Sequence, residues 1–419
     1  MSKNFRQVAK NTFMLYIMAV VKLILPLLTL PYLTRVLSEE AYGLVSYVKS
    51  CMTYMTLIID FGFILSSVKD IVNANGDLEK IGKVAGNTFF SKFLLAILSG
   101  CVLVVMCIAI PILQIDIVFV VLSFLAVATT LFLADFLFRG IEKMHYITII
   151  FLITKSVSTI LTFILVKDDS TILWIPILDI LAHVIAVVIT FIILKKLKIK
   201  VRMTGVKDCL LMIKDSFTYF LSSVATTAFT ALNTLLIGIY IKDLAQIAHW
   251  SLCINIISAI QGLYAPICNG IYPYMIKKKS LSFIHKILLL LMPIVTAGCL
   301  LCFVLSKFIL LVLGGEKYVE AYMLFRWLIP ILFFSFPAQV FGWPTLGAVG
   351  KVKETTATTI FSAIAQVIGL VFLIIIGHFN LVALAILRCG TELILLLSRM
   401  IIVYKNKRSF CGNEMVDTM

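Results

Sequence analysis

The chain has 419 residues, of which 61% are apolar and 14% charged, with mean hydropathy +1.09 and a formal net charge of +15. Soluble globular proteins are usually about half apolar and about a quarter charged, so this composition excludes an ordinary soluble enzyme or binding domain. The apolar runs are continuous rather than short and alternating, which excludes an outer-membrane barrel and leaves membrane-spanning α-helices.

A helix needs about 20 apolar residues to cross the hydrocarbon core of a bilayer. By that criterion the sequence predicts an all-α membrane protein with about twelve transmembrane helices. The first apolar run is too long for a signal peptide and is interrupted by Pro26 and Pro31, so we interpret it as a retained helix. The predicted spans are 12–34, 42–68, 84–110, 115–138, 146–166, 171–194, 215–240, 246–275, 286–313, 323–347, 356–377 and 380–404.

The basic residues predict the topology of these spans. The connecting segments assigned to one side hold 24 lysines and arginines, whereas those on the other side hold four. Cytoplasmic segments carry such an excess, so both termini are predicted to be cytoplasmic. The basic segment 195–214 separates six helices from six and predicts an N-terminal lobe, 1–200, and a C-terminal lobe, 201–419, with a cavity between them. A small-residue turn and a lysine follow both the fourth and the tenth helix, at Lys143 and Lys351, which indicates two pseudo-symmetric halves.

Several function classes find no support in the sequence. The positive charge is explained by membrane topology and attraction to anionic lipid, so no nucleic-acid partner is expected. Most of the ten cysteines lie in predicted spans and are interpreted as small apolar residues. The chain contains neither an HExxH motif nor a phosphate-binding GxxxxGK[ST] loop, and its segments outside the membrane are short. We therefore predict a transporter without a cofactor or a metal, rather than an enzyme.

Charged residues inside the spans are the candidates for function. Each costs roughly 2.5–3.5 kcal/mol at the bilayer centre, so it is expected to have a partner or to face a wet cavity. Arg388 and Glu392 are four residues apart on one helix and are interpreted as a neutralising pair. Arg399 lies near a span end, where its long side chain is expected to reach the membrane interface.

The lysines of the N-terminal half have no such simple explanation. Counting 1.5 Å per residue from the cytoplasmic helix ends puts Lys22, Lys92, Lys155 and Asp60 in one layer, roughly 12–15 Å deep. That layer has a net positive charge, and Lys49 lies nearer the outer side. We expect Asp60 to balance the charge of the lysine layer, rather than to act as an isolated transport acid.

Polar residues recur along three helices with helical spacing. Lys49, Thr53, Thr56 and Asp60 are separated by 4, 3 and 4 residues and therefore lie on one face of the second helix. The seventh and eighth helices carry an uncharged polar face, for which cavity lining and helix packing are equally good explanations: Ser222, Thr226, Thr230, Asn233, Asn255, Ser258, Gly262, Pro266 and Asn269. The residues predicted to line the cavity are Lys22, Lys49, Asp60, Lys92, Lys155, Asn233, Asn255 and Asn269.

Four short motifs resemble the O-antigen (Wzx-type) polysaccharide exporters of the MOP superfamily. They are 30–37 (LPYLTRVL) followed by Tyr42 and Gly43, 60–63 (DFGF), 134–144 (ADFLFRGIEKM) and 347–351 (GAVGK). The chain departs from the family's pattern at Ser38 and Glu39, where relatives usually carry glycine after the leucine.

This resemblance implies two six-helix lobes like those of MATE transporters, in a bacterial inner membrane. It implies a cargo of polyprenyl-diphosphate-linked oligosaccharide, such as an O-antigen repeat unit, moved to the outer leaflet by alternating access. The lysines would hold the diphosphate, and the neutral polar groups would hydrogen-bond the sugars. A polysaccharide polymerase and chain-length machinery are the implied partners.

The energy source and two other functions remain open at this point. Asp60, Asp135, Asp179 and Glu392 are the candidate carriers of a coupling proton or sodium ion. One alternative function is an ion-coupled antiporter of drugs or small solutes on the same fold. The other is a scaffold of the glycan assembly machinery that transports nothing itself.

Overall fold

The computed structural model describes residues 3–228 and 231–410, and in these ranges the regular secondary structure is helical. The described residues fall into two compact units, the first reaching Thr227 and the second beginning at Ala228. The helices of the first unit are α1 (Lys3–Val36), α2 (Glu39–Asp60), α3 (Phe63–Asn73), α4 (Leu78–Ala109), α5 (Ile117–Thr129), α6 (Asp135–Gly140), α7 (Met144–Leu165), α8 (Trp174–Lys196) and α9 (Val206–Ala228), which ends at the boundary. Those of the second unit are α10 (Ala231–Tyr240), α11 (Leu244–Gly262), α12 (Tyr264–Lys278), α13 (Leu281–Val304), α14 (Ser306–Gly314), α15 (Tyr322–Leu328), α16 (Pro330–Val340), α17 (Val352–Ile375) and α18 (Leu381–Lys405).

The predicted fold class, an all-α membrane protein, is confirmed, and the number of spans is close to the prediction. Among the described residues ten helices are long and apolar enough to cross a membrane, and a pair bent by 43°, Glu316–Leu328 and Pro330–Val349, brings the number to eleven. The predicted span 215–240 corresponds to the end of α9 and the short apolar helix α10, and two of its residues, 229–230, lie outside the described ranges.

Capping side chains stabilise the starts of α2 and α4. The Ser38 hydroxyl accepts a hydrogen bond from the Ala41 N–H at the start of α2, and the Asp77 carboxylate accepts from the N–H groups of Glu79 and Lys80 at the start of α4. These bonds satisfy backbone donors that have no partner inside the helix. The Lys80 N–H holds the pKa of Asp77 below its usual range, so this contribution to stability is lost as the pH falls through that lowered pKa.

The predicted second span, 42–68, is broken at Phe61 and Gly62. Phe61 has φ 39° and Gly62 has φ 82°, so the helix ends in a left-handed turn before α3 begins. A Cβ atom on Gly62 would lie 2.6 Å from the Cβ of Tyr219 on α9. The absence of a side chain thus permits both the turn and the close approach of α9.

Replacing Gly62 by alanine is expected to destabilise the protein more than the same change at Gly76. Gly76 has the same φ of 82°, but no atom lies within 4 Å of its Cβ position, so the Gly76→Ala variant reports backbone strain alone, about 1 kcal/mol. Gly62→Ala adds the overlap with Tyr219, worth roughly a further 1–3 kcal/mol. Thermal unfolding in detergent measures both variants, and equal losses of stability would contradict the close packing of α9 at this turn.

The segment that follows residue 200 packs on the first unit. The Arg202 N–H donates to the Gly82 carbonyl at 3.1 Å, and the Asn87 amide donates to the Thr204 hydroxyl at 2.9 Å. Further along α9, the Ser66 and Ser216 hydroxyls are 2.7 Å apart and buried. Residues 201–227 thus belong to the first compact unit. The predicted division into two lobes at residue 200 stays a prediction.

Each unit has its own apolar core. In the first unit Phe89, Phe136 and Phe138 are buried together, with the rings of Phe89 and Phe136 edge to face at 5.6 Å. In the second unit Phe336 and Met275 are fully buried in a separate cluster. In contrast, the most apolar 18-residue stretch of α13 contains no buried residue, as expected for a helix that faces lipid.

Arg399 in the second unit corrects one expectation. Its side chain is 8% exposed, and it donates hydrogen bonds to the Ala338 carbonyl at 2.7 Å and to the Thr359 hydroxyl at 3.1 Å. It lies against Gly342, where the backbone leaves helical geometry beside Pro344. The guanidinium thus stabilises the broken helix by donating to its Ala338 carbonyl, instead of extending to the membrane interface.

Candidate functional site

A cavity of about 500 Å³ opens inside the first unit, between α1, α2, α5, α7 and α8. Three lysines from three different helices line it, Lys22 on α1, Lys49 on α2 and Lys155 on α7, and we call it the three-lysine cavity. Its walls also carry hydroxyl groups: Thr29, Thr53, Thr56, Ser123, Ser158, Thr159 and Thr162. A polar cavity of this size within apolar helices is chemically suited to a charged or strongly polar ligand.

Two titratable residues of α8 also line the three-lysine cavity. Asp179 accepts a hydrogen bond from the Lys155 ammonium at 3.1 Å, and His183, one helical turn further, also lines the cavity. The Nδ1 atom of His183 lies 2.8 Å from the Ala126 carbonyl oxygen. Three lysines against one aspartate leave a net positive charge, so the cavity favours anions.

Lys22 and Lys49 extend into this space in different surroundings. The Lys22 ammonium lies 5.2 Å from the centre of the Phe151 ring, and its side chain is exposed. Lys49 also has an exposed side chain, and it stands one turn above Thr53 on the same face of α2. Both ammonium groups are therefore accessible to a ligand, whereas that of Lys155 is already engaged by Asp179.

Asp60 and Lys92 form a separate pair outside the three-lysine cavity. The Lys92 ammonium lies 2.8 Å from Asp60 Oδ1, and the side chains are 8% and 48% exposed, respectively. The face of the Phe136 ring lies 5.8 Å from the same ammonium. Lys92, predicted to belong to one layer with Lys22 and Lys155, is instead buried against its own carboxylate.

The Asp60 side chain instead lines a second pocket, of about 350 Å³. Thr53, Thr56, Asp60, Ser223 and Thr227 supply its polar wall, and we call it the hydroxyl pocket. Thr53 and Thr56 line both this pocket and the three-lysine cavity, so the two spaces are adjacent along one face of α2. The spacing of the polar residues on α2 predicted that shared face.

The polar residues predicted in the second half have mixed placements. Asn233 is buried and accepts a hydrogen bond from the Gln366 amide at 3.0 Å, while Gln366 accepts one from the Thr391 hydroxyl at 2.7 Å. This chain of bonds joins α10, α17 and α18, which is a helix-packing role. Asn255 on α11 and Asn269 on α12 have exposed side chains. The side chains of Ser222, Thr226 and Thr230 lie outside the described residues.

Two further charged residues of the predicted spans pair within the second unit. Arg388 and Glu392 are 2.7 Å apart and buried on α18, which confirms the predicted neutralising pair. Among the described residues no group of three or more histidine, cysteine, aspartate or glutamate side chains could hold a metal ion.

Comparison with known proteins places the chain in a family. The sequence profile of the family described as "Polysaccharide biosynthesis protein" matches residues 8–279, more than half of the chain. The chain belongs to this family. Two curated relatives are both named "Putative O-antigen transporter". One, from Shigella dysenteriae, is 29% identical over 66% of this chain and 70% of the relative, and the other, from Escherichia coli (strain K12), is 25% identical over 98% and 100%.

Solved structures with little sequence similarity share the fold. An inward-facing multidrug resistance MATE family transporter of the MOP superfamily is 12% identical and matches with a TM-score of 0.65 over 94% of this chain and 99% of its own. The inward closed conformation of the lipid II flippase MurJ is 15% identical, with a TM-score of 0.53 over 89% and 87%. The predicted resemblance to O-antigen exporters is thus confirmed by two relatives of that name. The chain is a multi-pass membrane protein that shares its fold with these solved structures.

Sequence reasoning missed the part that α8 plays in this family member. The sequence indicates Asp179 as one of four candidate carriers of a coupling ion, and no motif singles out His183. Their spacing of four residues on one helix face was the available signal, because a carboxylate in a membrane-spanning helix needs a partner of opposite charge on the face it presents.

Proposed function

We propose that the chain is a flippase for a polyprenyl-diphosphate-linked oligosaccharide. It moves an O-antigen or similar repeat unit from the cytoplasmic to the outer leaflet of a bacterial inner membrane, by alternating access and with both termini in the cytoplasm. The observation that carries this proposal is the convergence of Lys22, Lys49 and Lys155 on one cavity inside the membrane-spanning unit. Ammonium groups within a membrane-spanning unit are costly unless a group of opposite charge pairs with them.

A diphosphate fits this arrangement by charge and by shape. Each lysine is a flexible point charge with three donors, suited to phosphate oxygens that approach from different directions. The names of the two curated relatives support a cargo of this class. The positive charge of the cavity disfavours a cationic drug as cargo, which weighs against the antiporter alternative.

Asp179 has a defined place in the proposed transport cycle. In the unloaded site it neutralises Lys155, which lowers the cost of keeping that ammonium in the membrane. An arriving diphosphate competes with this carboxylate for Lys155. Of the four candidate acids, Asp179 is the one that lines the three-lysine cavity, so it is our proposed site for a coupling proton, whose binding would release Lys155 to the cargo.

Transport by purified protein in lipid vesicles tests the proposed function. A short-chain prenyl diphosphate sugar is incorporated in the membrane, and a sugar-binding lectin outside the vesicles captures molecules that reach the outer leaflet. Vesicles with the protein are expected to expose the sugar at least tenfold faster than protein-free vesicles. Equal rates would contradict the proposal and favour the scaffold alternative.

A further inference from the structure

A third polar pocket, of about 390 Å³, lies within the second unit and shares no residue with the three-lysine cavity. The first turns of α13 form one wall, and the short 3-10 helix Lys407–Phe410, which follows α18, forms the other. We call it the α13–α18 pocket, and its polar lining consists of Ser282, His285, Lys286 and Lys407. Its volume lies in the range of small-molecule sites, roughly 300–1,000 Å³.

Packed side chains join the two walls of the α13–α18 pocket. Leu281 and Phe410 also line it, and both are buried in the apolar cluster of the second unit. The Nε2 atom of His285 lies 3.2 Å from the Tyr404 hydroxyl oxygen, and the two rings are stacked with their centroids 6.3 Å apart. These contacts connect the start of α13 to the end of α18, so the pocket is part of the packed structure.

The α13–α18 pocket has a positive charge that no carboxylate balances. Lys286 on α13 and Lys407 beyond α18 both line it, and both side chains are exposed. No aspartate or glutamate lines the pocket, and among the described residues neither lysine takes part in an ion pair. Two ammonium groups from separate elements, with the Ser282 hydroxyl beside them, supply donors for an anion.

The position of the α13–α18 pocket relative to the membrane narrows the choice of anion. Both helices are long and apolar enough to cross a membrane, and the pocket lies where α13 begins and α18 ends, hence at a membrane interface that the predicted topology makes cytoplasmic. Ser282, Lys286 and Leu289 are separated by 4 and 3 residues and share one face of α13. Deeper along the helix, Leu289, Leu290 and Ile294 are 82%, 69% and 63% exposed. Donors at the interface thus adjoin an apolar surface in the hydrocarbon region.

We propose that the α13–α18 pocket binds the headgroup of an anionic phospholipid, whose acyl chains lie along the exposed apolar surface of α13. This inference does not rest on the proposed cargo. The lipid phosphate accepts hydrogen bonds from Lys286 and Lys407 and so bridges the two walls. Basic pockets at the cytoplasmic ends of transmembrane helices are suited to such headgroups. A free phosphate offers the same oxygens to the lysines, but it has nothing to place against Leu289.

Lipid titration of the full chain in detergent, read out by native mass spectrometry, tests this inference. The ligands are phosphatidylglycerol and phosphatidylcholine with identical acyl chains, and glycerol 3-phosphate alone. A lysine close to an anionic lipid contributes about fivefold in affinity, so we expect phosphatidylglycerol to bind about tenfold tighter than phosphatidylcholine. Equal affinities for the two lipids would overturn the inference. Displacement of phosphatidylglycerol by an equal concentration of glycerol 3-phosphate would also overturn it, because the pocket would then hold an adventitious ion only.

Two double variants with the same net charge locate the lipid. Lys286→Gln/Lys407→Gln removes both pocket lysines, and we expect it to reduce the preference for phosphatidylglycerol to below about threefold. Lys278→Gln/Lys405→Gln is the matched control, since these exposed lysines in the last turns of α12 and α18 do not line the pocket. The control is expected to keep the preference, and an equal loss in both variants would show diffuse attraction to a basic surface and contradict the site. Displacement of phosphatidylglycerol by a short-chain prenyl diphosphate would assign the pocket to the cargo and likewise overturn the inference.

Discussion

Replacing Lys22 and Lys49 together by alanine is expected to abolish export while the protein remains in the membrane. Both ammonium groups open into the three-lysine cavity. A hydrogen bond to a charged group contributes about 1.5–3 kcal/mol, so each lysine is worth roughly tenfold to a hundredfold in affinity for the diphosphate. Complementation of a strain that lacks its own exporter measures the loss, with membrane abundance determined in parallel.

Two further variants make this prediction specific. Replacement of Lys49 by arginine is expected to retain more export than replacement by alanine, because the positive charge is what the diphosphate needs. Lys307→Ala is the matched control, since Lys307 on α14 lies over the Tyr322 ring of α15 and does not line the cavity. Full export by the double alanine variant, or an equal loss in Lys307→Ala, would contradict a cargo site at these lysines.

Asp60→Asn is expected to impair both stability and export, and a second change at Lys92 is expected to restore part of the loss. Removing the carboxylate leaves a buried ammonium without its partner, which costs about 3 kcal/mol. Lys92→Met removes that charge and fills a similar volume. Recovery should be partial, because the carboxylate that Asp60 contributes to the hydroxyl pocket is still missing. Thermal unfolding and complementation measure the two effects.

Comparing a second change at Lys92 with one at Lys155 distinguishes the explanations for the loss of export in Asp60→Asn. Lys155 has its own partner, Asp179, so Asp60→Asn/Lys155→Met should recover nothing. Rescue by either lysine would support a diffuse balance of charge across the predicted layer. If Asp60 carries a coupling proton instead, neither change restores export, and the pairing explanation is wrong.

The sequence predicts how far along its helix each charged residue lies, but not the direction in which its side chain points. Residue counting gives the axial position along a helix, and the depth that it assigns to Lys22, Lys92 and Lys155 stays a prediction. Whether two side chains meet depends on how each helix is rotated about its axis, which packing determines. That is why Lys92 joins Asp60 while Lys155 joins Asp179.

Positions within a single helix were more predictable than positions between helices. The polar face of α2 followed from spacing alone, because the helical period fixes which residues share a side. Arg388 and Glu392 were paired correctly for the same reason. The partner of Asn233 is Gln366, 133 residues away, and no local pattern specifies such a contact.

The most direct measurement of the central claim is the mass of lipid that stays bound to the purified protein. Wild-type protein, Lys22→Ala/Lys49→Ala and Lys307→Ala are purified in mild detergent from cells that make lipid-linked oligosaccharides, and native mass spectrometry identifies their bound lipids. We predict a polyprenyl diphosphate carrying sugars on the wild type and on Lys307→Ala, and its absence from the double alanine variant. Wild-type protein that retains only bulk phospholipid, or a double variant that retains the glycan lipid, would contradict the account.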